Sequence, residues 1–148
     1  MIWGPGPFEN DDAADWYAAL LQQPSLSAIG EALEDVVDPT HVGFIDVTSG
    51  CDAIAAATVL GELLVPASNP DEEDDGQLAL RAEWETERPL ARERLLRQAE
   101  TALELVLNDE EDSEARQIIE EHGEFMAEWT EVLKNLQNRL RAALLPTP

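Results

Sequence analysis

The first basic side chain in this 148-residue chain is Arg81, so the first 80 residues hold 16 Asp and Glu and no Lys or Arg. Across the whole chain nine basic residues face 32 acidic ones, a formal charge of −23. Nucleic acid, an anionic membrane surface and polyphosphate all require a basic patch to displace their counterions, so this balance argues against each of them. Cysteine is nearly absent: Cys51 alone rules out an internal disulfide and fits a reducing compartment. A long hydrophobic run is missing too. The most apolar stretch, "AIAAATVLGELLVPA", is too short to span a bilayer and carries Glu62. The opening "MIWGPGPF" has neither the charged start nor the apolar run of an export signal. A cytoplasmic protein is expected. There is no glycine-rich phosphate loop, and "WGPGP" cannot serve as one because its prolines remove the N–H donors that a phosphate cradle needs.

What is present reads as a foldable globular chain. Hydrophobic residues make up 44% and charged residues 28%, ordinary values for a single domain that buries one core. From Asn10 the pattern turns helical: Ala13, Trp16, Tyr17, Leu20 and Leu21 share one face, Asn10 is suited to the N-cap, and Asp11 and Asp12 fall in the first turn. A second helix is expected from Ser25 or Ser27 to the "VDPT" stop, with Ile29, Leu33, Val36 and Val37 inward. "THVGFIDVTS" has strand character, with "MIW" as its one visible partner. "SGCDAIAAATVLGELLVP" reads as a buried helix, with Ser49 and Asp52 at capping-box spacing.

Beyond it, residues 65–76 read as an acidic mobile loop, followed by a helical turn at "LALRAEW". A long helix is expected from Pro89 to Leu107. The final stretch is one helix weakened at Gly123, or two, with an apolar stripe through Phe125, Trp129, Val132, Leu133, Leu136, Leu140 and Leu144. The expectation is one all-α domain over residues 1–148, a bundle of five to seven helices with at most one short two-stranded pairing.

Candidate chemistry is sparse. Asp71, Glu73, Asp75 and Gly76 occupy the first, third, fifth and sixth places of a calcium-loop template, but the twelfth place, which should supply a bidentate glutamate, is Ala82. Glu120, Glu121 and Glu124 could contribute to a carboxylate metal site if a second acidic group met them from another helix. A di-iron site is disfavoured, since neither His41 nor His122 has a glutamate three residues before it. Cys51 near a helix start is the one possible nucleophile, with Asp52 opposing its activation. No cofactor is implied.

The stretch "WGPGPFENDDAADW" resembles the signature of a bacterial family of unknown function, DUF4259. Trp3, Gly4, Gly6, Phe8, Glu9, Asn10, Asp11, Ala14, Asp15 and Trp16 carry the match. Thr58 departs from it, standing where the family pattern has an acidic residue. The resemblance implies a small bacterial helical domain and brings no chemistry with it.

Two functions follow as expectations. The first is a non-enzymatic acidic interaction protein, immunity- or inhibitor-like, that binds a basic partner through Glu9, Asp11, Asp12 and Asp15 and the Asp71 to Asp75 loop. The alternative is a metal-dependent hydrolase or metal-binding protein, in which Asp11, Asp12 and Asp15 meet Glu120, Glu121 or Glu124. Trp3, Gly4, Gly6, Phe8, Asn10 and Trp16 are read as a structural lead that seats Trp3 and Phe8 on the core. Asp15, beyond the first turn, has no capping role and is the residue whose partner matters most.

Overall fold

The computed structural model describes residues 2–38, 44–66, 69–109 and 111–144. Among them lie seven α-helices: α1 (Asp11–Gln22), α2 (Leu26–Val37), α3 (Val47–Leu63), α4 (Asp75–Thr86), α5 (Pro89–Asn108), α6 (Glu114–His122) and α7 (Met126–Leu144). The all-α expectation holds.

The centre of the fold is α3. Ala53, Ala55, Ala56, Ala57 and Leu60 are fully enclosed, and α1, α2, α5, α6 and α7 all pack against this helix. A helix apolar over most of its circumference belongs in the middle of a bundle, and its alanines let neighbours approach closely. Around it, Leu33 of α2, Leu103 and Val106 of α5, Ile119 of α6 and Leu133 and Leu140 of α7 close the core. Thr58, at the family departure, turns its hydroxyl back onto the Ile54 carbonyl at 2.8 Å. That bond spares a polar group on α3 an unsatisfied burial.

The helix ends follow from local chemistry. The buried Asn10 caps α1, its side-chain oxygen accepting from the Ala13 N–H at 2.8 Å. Asn10→Ala is expected to destabilise the protein by about 1 kcal/mol, a fall in melting temperature of about 3 °C in calorimetry. An unchanged melting temperature would show that this cap is dispensable. Ser25 caps α2 and Pro89 opens α5. Gly123 ends α6 at φ +66°, a left-handed conformation that glycine takes without a side-chain clash. The last stretch is therefore two helices.

Two expectations about local structure need correction. The capping box at Ser49 and Asp52 does not form: α3 starts earlier, where Asp46 accepts from the Ser49 N–H at 2.8 Å. Asp46 lies three residues upstream of Ser49 and can reach the free N–H groups of the first turn. Ser49 thus sits inside the helix. In keeping with at most one short pairing, the described residues of the two β-like stretches make only isolated bridges, Ile2 with Asn10 and Ile45 with Ser113. The Ile45 backbone is held at the start of α6 by bonds to Asp112 and from Glu114. The rest of the strand-like stretch, residues 40–43 with His41, lies outside the described residues.

The second correction is that the acidic stretch 65–76 is only partly loop. Pro70–Glu72 form a 3-10 turn, and Asp74 and Gln77 make a reciprocal capping box that launches α4. The helical turn expected near Leu78 is accordingly a helix of 12 residues. Leu80 and Trp84 anchor it in the core.

Candidate functional site

The N-terminal motif folds around its own glutamate. The Trp3 N–H donates to the Glu9 carbonyl at 2.9 Å and the Glu9 N–H to the Gly6 carbonyl at 3.1 Å. The Gly6 N–H binds the Glu9 carboxylate at 2.9 Å. Gly4 and Gly6 leave the space that this carboxylate fills; a Cβ on Gly4 would stand 2.6 Å from the Glu9 Cδ. Phe8 stacks on Tyr17 with ring centroids 4.7 Å apart and, with Trp16, packs half-buried against the core. Trp3 does not reach the core: it is 49% exposed. The backbone bond to Glu9 fixes the turn but turns the indole outward.

The carboxylates of the first helix have separate fates. Asp11 and Asp15 are exposed. Among the described residues Asp15 makes no hydrogen bond or ion pair, so the partner sought for it within the fold is not there. Asp12 turns inward and accepts from the Thr48 hydroxyl at 3.3 Å. It joins a corner where α1, α2 and α3 bring Asp12, Asp35, Asp46 and Asp52 together. One carboxylate oxygen of Asp52 is enclosed without a hydrogen-bond partner. Burial first, then the charges of Asp12, Asp46 and Asp35, push the Asp52 carboxyl up from 3.8 to about 7.

The neighbouring Cys51 is buried. Desolvation, with Asp12 and Asp52 adding to it, pushes its thiol up to about 12. A protonated thiol without access to solvent is a packing group, and this environment is the reverse of one that activates a nucleophile. Asp52 escaped the sequence reading because the capping box accounted for it. The available signal was an aspartate inside an alanine-rich, largely buried helix, where a charge is costly.

The other carboxylates considered as metal ligands are dispersed. Glu120, Glu121 and Glu124 are exposed around the end of α6. Asp71 is exposed, Asp75 and Gly76 belong to the first turn of α4, and Glu73 is engaged by Arg81 at 2.8 Å. Among the described residues no group of three His, Cys, Asp or Glu side chains is placed to hold a metal ion.

Two clefts remain. One, of about 500 Å³, is bounded by Glu62, Glu73, Arg81 and Arg139. Arg81 is immobilised there by Glu73 and by the Val65 carbonyl at 2.7 Å. The Glu62 carboxyl is pushed up by burial, against the opposing pull of Arg81 and Arg139. The other is a groove of about 480 Å³ between α2 and the α4–α5 corner. Glu31 and Glu34 border it from α2, Glu83 and Glu87 from α4 and its C-cap, and Arg94 of α5 is its single cation. Glu83 is partly committed, accepting from the Leu26 N–H at 3.1 Å. Glu31 and Glu34 are exposed, and their carboxylates make no hydrogen bond among the described residues. Sequence reasoning missed this groove because its two walls come from segments far apart in the chain, residues 26–34 and 83–98.

The fold and its clefts define a small helical domain with an acid-lined groove and no assembled catalytic constellation among the described residues. The family model for "Domain of unknown function (DUF4259)" matches residues 2–132. The chain belongs to that family. No curated protein and no solved structure matches it. Among the described residues no helix is long and apolar enough to cross a membrane.

Proposed function

We propose that this is a non-catalytic, acidic interaction protein of the cytoplasm that binds a basic protein, in the manner of a small immunity protein or inhibitor. The observation that carries the reading is the groove between α2 and the α4–α5 corner, where four carboxylates face one guanidinium. The surface around it supports the same reading. Glu31, Glu34 and Asp35 are exposed on α2, as is Asp15 on α1, and the first 80 residues hold no Lys or Arg. A one-sign field of this kind speeds encounter with a partner of opposite sign and repels like-charged ones. Nucleic acid is disfavoured on the same ground.

The test is capture from the native host at low and high salt, with identification of what is bound. A basic protein should be recovered at about 0.05 M salt and released at about 0.5 M, where the Debye length shrinks to a few ångströms. Recovery of no basic protein, or of one whose binding ignores salt, overturns the reading.

A further inference from the structure

The groove contains a glycine that the fold does not require. Gly30 lies in the interior of α2, where glycine costs about 1 kcal/mol relative to alanine. Two other helical glycines, Gly61 and Gly76, repay that cost through close packing, whereas at Gly50 the nearest atom to an added Cβ is the Ala115 Cβ at 3.4 Å, inside the core rather than at a groove. A Cβ on Gly61 would stand 2.8 Å from the Leu136 Cδ1, and one on Gly76 2.9 Å from the Leu21 Cα. At Gly30 the nearest atom to an added Cβ is the Leu95 Cδ2 at 3.4 Å, an ordinary van der Waals contact. Neither crowding nor a left-handed backbone calls for glycine at this position. What its missing side chain leaves open is space in the groove, whose lining includes Gly30 and Leu95.

The surroundings of that opening are chemically graded. The apolar Leu95 faces Gly30, and Glu31, Glu34, Glu83 and Glu87 stand around it. A second depression, sharing Arg94 and Gln98 with the groove, continues it past Arg97, which is paired with Glu93 at 2.7 Å, to Val37 and Leu90. Leu90 is 80% exposed, so an apolar surface adjoins the acidic one.

We propose that this groove seats a lysine- or arginine-bearing segment of a partner protein, with the aliphatic part of one side chain entering over Gly30 against Leu95 and its cationic head among the glutamates. Long basic side chains combine these two properties, an apolar stem and a charged tip. The proposal rests on the basic-partner reading above and assigns its contact surface.

The experiment is an anisotropy titration of the intact protein with a fluorescent 12-residue Lys/Leu peptide, alongside its Glu/Leu counterpart, at about 0.05 M salt. The Lys/Leu peptide should bind and the Glu/Leu peptide should not. Glu31→Lys with Glu34→Lys should weaken binding about tenfold or more. The equally charged control, Glu128→Lys with Glu131→Lys on the exposed side of α7 and outside the groove, should change it less than about threefold. Gly30→Ala should weaken binding about threefold while the melting temperature stays level or rises. If the control pair weakens binding as much as the groove pair, or Gly30→Ala leaves affinity unchanged, the groove assignment fails and the basic-partner reading stands. If the wild-type protein does not distinguish the two peptides, the reading itself fails with it.

Discussion

Asp52→Asn is expected to stabilise the protein by about 2 kcal/mol at pH 8 and to leave its stability unchanged near pH 3.5, below the unfolded-state value of 3.8. Asp52 is pushed up to about 7 in the folded protein by burial and by Asp12, Asp46 and Asp35. The folded state therefore holds this proton more tightly than the unfolded chain. The resulting stability is fully present below pH 3.8 and is lost as the pH rises through 7. A full displacement of this size corresponds to roughly 4 kcal/mol; solvent screening at a half-exposed side chain reduces it to about 2 kcal/mol.

Asparagine keeps the shape and removes the charge, so its advantage should grow between pH 4 and pH 7 and then level off. Urea denaturation of both proteins across that range reads the difference directly, because every other carboxylate is common to the two. A variant less stable than wild type at pH 8 would show that the ionised Asp52 is satisfied in the fold. The buried, unpartnered oxygen at this position predicts the opposite.

Gly76→Ala is expected to destabilise the protein by about 3 kcal/mol. Gly76 is buried in the first turn of α4, beside the last turn of α1. A Cβ there would stand 2.9 Å from the Leu21 Cα and 3.1 Å from the Leu21 carbonyl carbon. Backbone atoms of a helix cannot yield as a flexible side chain would, so α1 and α4 must separate. Their separation would also strain the bond from Gln77 Nε2 to the Tyr17 hydroxyl, 3.1 Å long. In urea, the midpoint should fall while the slope with denaturant is preserved. A stability equal to or above wild type is the result expected of an open helix position, and it would overturn the close approach. Gly30→Ala provides the internal contrast, since the same methyl there meets only Leu95 at 3.4 Å.

Much of the helical framework was legible because its signals act over a single turn. Asn10 before Asp11 and Asp12, Pro89 at the start of α5 and Gly123 between α6 and α7 each report a boundary through local hydrogen bonding or backbone geometry. The failures share a cause as well. At α3 two caps competed, and Asp46 won by reaching the earlier N–H groups. At α4 the run of carboxylates concealed the Asp74–Gln77 capping box, since acidic composition alone reads as solvated loop. Trp3 was expected inward because it is large and apolar, yet the turn closed by Glu9 directs it outward.

By itself, the sequence determined the helical class, most helix ends and a surface that is anionic over its first half, because periodicity, capping and net charge are properties of neighbouring residues or of simple counting. Only the tertiary structure decided which carboxylates that charge leaves available. Glu9 is held within its own turn, Glu73 is paired with Arg81, and Asp12 and Asp52 are gathered in a partly buried corner. Glu31 and Glu34 are left facing a groove whose far wall is built from α4 and α5. Desolvation and Coulomb interactions depend on distance in space, and α2 meets α4 and α5 only when the core around α3 closes.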